Sequence, residues 1–294
     1  MLAAISTLIA HMPVPQSPPP MRFTVEAWSA WAPGLADSDA WRAWARAPWR
    51  PAGDERPDLP QYPMMLRRRA ERLARMALQT VSEVRSAAPC PMVWASHRGE
   101  TQRAVPLLRE LAESGTLAPG PFSLSVHNAV SALESIAHGD TGNYTALAAS
   151  GESAELAVVE ALGLLADGHD AVIVTVYDET VPDCYRPYVE DADAAFAWSW
   201  RMRSAADRAG FELRWTALDE GALGTGHGAR EGAAPVETGS HQPDSCHPTV
   251  LPDARPVPLV DLPPALRVLA FFLSDADTLS HDGSHCRWTW RRTA

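Results

Sequence analysis

Residues 120–176 read GPFSLSVHNAVSALESIAHGDTGNYTALAASGESAELAVVEALGLLADGHDAVIVTV, and the order of elements in this stretch decides the fold. Apolar residues at helical spacing predict a helix over 125–138, stopped by His138-Gly139-Asp140. Residues 144–149 read as a short strand entering a tight Ser150-Gly151 turn. A strongly apolar helix follows over 152–166, stopped by Asp167-Gly168. AVIVTVY at 171–177 is β-branched and continuous, the composition of a strand buried on both faces. A strand, a sharp turn and a helix together present one side chain at a helix N-terminus. Unpaired N–H groups there stabilise an anion, so the layout suits a nucleophile.

Upstream, PMVWAS at 91–96 predicts a short buried strand, and 101–114 a helix closed by Gly115. Residues 64–88 predict one long helix whose stripe is Leu66, Leu73, Met76, Ala77, Val81 and Val84. The proline-rich 48–63 is a loop, DAWRAWARA a helix capped by Asp37 and Ser38, and 22–28 a first strand. Downstream, 194–200 and 211–217 read as strands with a helix between them. A helix over 263–273 and a closing strand CRWTWRR end the chain. The alternation predicts an α/β sheet with AVIVTVY central, TALAA (145–149) beside it and helices over both. Four segments follow: a disordered extension at 1–20, an α/β domain at 21–218, a flexible low-complexity insert at 219–258, and 259–294 completing the same domain.

The formal charge of −11 argues against an electrostatic nucleic-acid partner; only Arg67, Arg68 and Arg69 cluster, inside a helical pattern. The chain has no lysine, which excludes Schiff-base and pyridoxal-phosphate chemistry and the lysine of a P-loop. No run of eighteen apolar residues is present, so no membrane span is expected. Four scattered cysteines read as reduced thiols of a cytoplasmic protein. Cys246-His247 and His281…His285-Cys286 are metal-ligand types without C-x₂-C spacing, so no metal and no cofactor is expected. Asp178-Glu179 and Glu190-Asp191-Asp193 read as solvated acidic loops rather than a hard-cation site.

The turn ALAASGES and the block GPFSLSVHNA resemble the β-ketoacyl synthase family, in particular the compact ketosynthase-like proteins of bacterial aryl polyene and xanthomonadin-type pathways. The resemblance covers 22–217 and implies a thiolase-like layered α/β fold, truncated relative to a two-halved condensing enzyme. Aligning the turn by Gly151 puts Ala148 where the family carries its cysteine nucleophile, and alanine cannot form a thioester. The family's two histidine motifs are absent, since His227 in GTGHGA is a chance match in the insert, and its lysine is absent too.

What the resemblance implies is a non-catalytic subunit that pairs with an active β-ketoacyl synthase and shapes its acyl tunnel, as a chain-length factor does. Acyl carrier protein is the other implied partner. Ala148, Ala149, Ser150 and Gly151 are then expected in the channel, and Ser125, His127, Asn128, Tyr144 and Thr145 at the partner interface. Two alternatives stay open: an acyltransferase or thioesterase using Ser150 or Ser153, and a non-catalytic scaffold that recruits acyl carrier protein. No G-x-S-x-G elbow supports serine catalysis. His127, read as lying mid-helix, is expected to be a packed residue rather than a base.

Overall fold

The computed structural model describes residues 20–189, 191–205, 208–218 and 255–294. One eight-stranded sheet runs through it in the order β3-β2-β4-β5-β1-β6-β8-β7. The strands are β1 (Met21–Trp31), β2 (Met92–Ala95), β3 (Tyr144–Leu147), β4 (Val172–Asp178), β5 (Phe196–Ser204), β6 (Gly210–Ala217), β7 (Thr278–Asp282) and β8 (Cys286–Thr293). β2 is parallel to both β3 and β4, and every other pairing is antiparallel.

The helices are α1 (Ser38–Arg46), α2 (Met64–Arg67), α3 (Arg72–Val84), α4 (Thr101–Ser114), α5 (Pro119–Ser123), α6 (Ala129–His138), α7 (Ser153–Ala166) and α8 (Pro264–Leu273). Two cores lie on opposite faces of the sheet. On one, α1, α7 and α8 pack on Val172, Val174, Val176, Trp198, Trp200 and Trp290. On the other, α3 and α6 pack on Trp94, Ile173, Tyr177 and Ala197. The period of two along β4 sends valines to one face and Ile173 and Tyr177 to the other, so the apolar run serves both. Thr175 points to the α3 side, where Ser199 links it to Thr80 through hydroxyl bonds of 2.9 and 2.8 Å. That ladder satisfies three hydroxyls in a dry interface.

The start of α1 is capped as read: the Asp37 carboxylate accepts from the N–H groups of Asp39 and Ala40. Gly115 closes α4 in the left-handed conformation (φ 71°). β4 is central, with Val172 and Val174 fully buried.

Several expectations need correction. TALAA does not lie beside AVIVTVY: β2 pairs with both, which leaves β3 at the sheet edge with Tyr144 39% exposed. The expected helix over 64–88 is two helices. The Arg75 guanidinium takes the carbonyls of Arg67 and Ala70 at the break, and Glu71 is extended. The helix over 125–138 begins only at Ala129, because Pro119–Ser123 winds as a separate turn. Between the strands after β4, β5 runs on to Ser204 instead of giving way to a helix. Its Trp198, Trp200 and Met202 face the core, and Arg201 and Arg203 reach Glu26 of β1 on the other face. β7 was unforeseen, since TLSHD has too little apolar alternation. Helices cover both faces only over the central strands. The outer face of β6 and β8 instead exposes Arg214, Thr216, Arg287 and Arg291. The expected extension (1–20) and insert (219–258) fall almost wholly outside the described residues, as do His227 and Cys246-His247.

Candidate functional site at the carboxyl ends of β2, β3 and β4

The three parallel strands deliver their carboxyl ends to one crevice. Its lining includes His97 and Arg98 after β2, Ser150, Gly151 and Ser153 after β3, and Asp178 at the end of β4. Crevices outside the carboxyl ends of parallel strands are where open α/β sheets bind ligands. Ala192, Ala194, Phe196, Pro264 and Ala265 form its apolar wall.

The turn after β3 is strained at Ser150, whose φ is 47°. Leu59 is the other described non-glycine residue in that region. A left-handed serine costs about 1–3 kcal/mol, which the surrounding turn must offset. Ser153 supplies part of it: its hydroxyl donates to the Ser150 carbonyl (2.8 Å) and accepts from the Ala149 N–H (3.1 Å). Ser153 is buried and its hydroxyl is committed to pinning the turn. Packing is close at Gly151, where a Cβ would stand 3.3 Å from Pro264 Cγ of α8 and the ring would have to give by a few tenths of an ångström.

Asp178 forms the floor. Its carboxylate accepts from Ser96 Oγ (2.9 Å) and from the N–H groups of His97 (3.2 Å) and Arg98 (3.0 Å). Burial pushes this carboxyl up, and the three donors oppose that. Ser96 Oγ in turn accepts from the Gly99 N–H at 2.8 Å, so its hydroxyl is fully used. Burial pushes the His97 imidazole below its usual value and the Arg98 charge adds to this, while Asp178 and Asp191 pull it back. The acidic pair Asp178-Glu179 is therefore no solvated loop: both are buried, and Glu179 is paired with Arg72.

A family model described as the β-ketoacyl synthase N-terminal domain matches residues 41–291. The chain belongs to the β-ketoacyl synthase family. No curated protein matches the sequence. Among solved structures, this ketosynthase-like chain is similar to one in the complex of the ketosynthase ApeO with its chain length factor ApeC from Xenorhabdus doucetiae. The TM-score is 0.70 at 23% identity, over 92% of this chain and 100% of that one. It is also similar to the ishigamide ketosynthase/chain length factor (TM-score 0.50, 16% identity, 67% of each chain). A third is a type II polyketide ketosynthase bound to its acyl-carrier protein (TM-score 0.53, 10% identity, 68% of this chain and 70% of that one). At these identities the likeness fixes the fold, which is thiolase-like, α/β and truncated.

Within this ketosynthase-like frame, Ala148 and Ala149 lie on the strand side of the turn, Ala148 exposed, while Ser150 and Gly151 reach the crevice. His127 is not mid-helix. It precedes α6, and its Nε2 donates to the Ser96 carbonyl at 3.0 Å. Gly99, left-handed at φ 56°, leaves room for the ring; a Cβ there would stand 3.2 Å from it. Ser125 bonds locally to the Phe122 carbonyl, Asn128 is exposed, and Thr145 Oγ1 donates to Glu160 of α7.

Seven large apolar side chains are exposed between α4 and α7: Leu108, Leu111, Phe122, Val126, Ile136, Tyr144 and Leu156. Tyr144 lies on β3 itself, the edge strand of the sheet. Reading the sequence missed His97 and the floor built by Ser96 and Asp178; the usable signal was their position just after buried parallel strands. It also missed Glu155, fully buried at the start of α7, which accepts from His281 Nε2 (2.8 Å) and Trp290 Nε1 (3.2 Å). His281 is thus committed to a carboxylate. Among the described residues no group of three His, Cys, Asp or Glu is arranged for a metal, and no helix is long and apolar enough to cross a membrane.

Proposed function

We propose that this chain is a ketosynthase-like subunit that does not itself condense. It pairs with an active β-ketoacyl synthase and shapes the acyl tunnel at their interface, as a chain-length factor in polyene or fatty-acid-type biosynthesis supplied by acyl carrier protein. The observation that carries this reading is the open edge of the sheet at β3, whose own Tyr144 is exposed, in a chain that also exposes Leu108, Leu111, Phe122, Val126, Ile136 and Leu156. An unpaired edge is a template for a partner strand, and exposed large apolar side chains in an otherwise acidic chain fit an interface. The small residues Ala148 and Ala149 stand at the end of that strand, where bulk would otherwise close a shared channel.

Two further facts support it. Alanine at 148 and the lack of any lysine remove condensation chemistry from the chain itself. A ketosynthase–chain length factor complex contains a chain that this one spans completely, so the short architecture suits such an assembly. Co-expression with a complete β-ketoacyl synthase and acyl carrier protein tests the reading. We expect a one-to-one heterodimer, and a change in product length when this chain is left out. Condensation of acyl and malonyl thioesters by the purified chain alone would overturn it.

A further inference from the structure

We propose that a basic hollow at the end of α2 seats the phosphate headgroup of an anionic phospholipid, with Met64 and Met65 entering the lipid beside it. The proposed pairing at β3 uses none of these residues, so the two readings stand or fall separately. The hollow has a volume of about 350 Å³, and its lining includes Arg68, Arg69, Glu71, Arg103, Pro121 and Leu124. A space of that size takes a phosphodiester headgroup. Among the described residues three guanidinium groups and one carboxylate line it, a net positive site in a chain whose formal charge is −11.

Arg103 is the fixed wall. It pairs with Glu71 (3.2 Å) and Glu100 (3.5 Å) and donates to the Arg69 carbonyl (3.0 Å), which ties the start of α4 to the end of α2. Arg68 and Arg69 are exposed, and their guanidinium groups make no hydrogen bond or ion pair among the described residues. Two unspent guanidinium groups lining one hollow suit the oxygens of a phosphate, which each can grip in a bidentate way.

The methionines decide between a lipid surface and a free anion. Helical winding runs on past α2, with the Arg68 N–H on the Met64 carbonyl and the Ala70 N–H on the Leu66 carbonyl, both at 3.1 Å. Residues four apart on a helix stand one above the other, so Met64 lies beside Arg68 and Met65 beside Arg69. Leu66 and Ala70 are the buried pair that face the protein. Met64 is 55% exposed and Met65 62% exposed, on the side where packing asks only for polar residues. A soluble anion has no use for two exposed thioether side chains next to its arginines. A lipid surface does: headgroup oxygens meet the cations, and the acyl boundary takes the apolar side chains. Salt confines repulsion from the acidic remainder of the chain to about 8–10 Å, so the local patch dominates at contact.

The test uses the full chain and sedimentation with vesicles of phosphatidylcholine, alone or mixed in equal parts with phosphatidylglycerol. Binding is expected only to the anionic vesicles and should weaken as salt is raised. Arg68→Gln with Arg69→Gln should lose binding at least tenfold, and Met64→Ser with Met65→Ser several-fold. All four side chains are exposed, so melting temperatures should match wild type. Glu71→Gln removes a carboxylate from the hollow and should tighten binding, a gain that misfolding does not imitate. Inorganic pyrophosphate, titrated by calorimetry without vesicles, and acyl carrier protein, run in place of them, are the competing arms. Equal sedimentation with both vesicle types, or binding that survives the double arginine variant, would overturn the proposal. So would binding of pyrophosphate or acyl carrier protein that needs Arg68 and Arg69 while the anionic vesicles stay unbound.

Discussion

His127 Nε2 donates to the carbonyl of Ser96 at 3.0 Å, and through that bond the exposed segment before α6 is tied to the floor of the crevice. Val126 and Asn128, on either side of His127, are exposed, whereas Ser96 is buried and bonded to Asp178. Two surfaces that differ in exposure and chemistry are thereby held in one register.

His127→Ala removes that donor and leaves a buried carbonyl unpaired, at about 1–2 kcal/mol. In a chain of this size the expected drop in melting temperature is about 2–6 °C. Binding to a partner ketosynthase should weaken in parallel. A melting curve and titration that both match wild type would remove His127 from this role.

Glu100 is buried, and burial pushes its carboxyl up to about 7 against only a long contact to Arg103. The folded state therefore holds a proton that the unfolded chain releases near 4.5. Stability falls as pH rises through that window, and the full penalty of about 3 kcal/mol applies above it. Glu100→Gln should match wild type near pH 4.5 and exceed it at pH 8, by urea denaturation at each pH. Parallel curves for the two proteins across that range would refute this.

His281 also makes stability fall with rising pH, through a pairing rather than through burial. Burial lowers its value, but the hydrogen bond and charge of Glu155 outweigh this and raise it. Its contribution is fully present below about 6.5, the unfolded value, and is lost as pH rises through the folded one. The stability difference between wild type and His281→Gln should shrink from pH 6 to pH 9. A difference that grows with pH would contradict the pairing.

If Ala148 holds the position proposed for it, Ala148→Cys supplies the nucleophile that the resemblance implies there, without the histidine motifs or lysine that would drive malonyl decarboxylation. It should acquire a thiol that reactive thioesters acylate, yet form no carbon–carbon bond. In the heterodimer, Ala148→Phe or Ala149→Phe should shorten the partner's products and leave its first acylation rate intact. Products of unchanged length from both variants would place the channel elsewhere.

The central strand was legible because β-branched residues without interruption have few other uses than a covered strand. α1 and α4 were legible through their stops, Asp37 at one end and Gly115 at another. The order of β2, β3 and β4 was not, because parallel pairing leaves no turn in the sequence to mark neighbours. The break between α2 and α3 escaped because Arg75, one turn downstream, creates it through bonds that no helical spacing records. At the site, Ala148 through Ser153 were found from the turn. His97 and Asp178 were not, since they come together only when strands from distant parts of the chain align.

The open edge at β3 has a consequence for how the chain is made. A strand with unsatisfied N–H and C=O groups pairs with whatever strand arrives first, including the same strand of a second copy. Met92–Ala95 occupies one side of it and nothing among the described residues occupies the other. On the proposed pairing, synthesis in excess of the partner favours self-association of this chain, and balanced, simultaneous production of the two polypeptides is the condition under which the edge would be covered correctly.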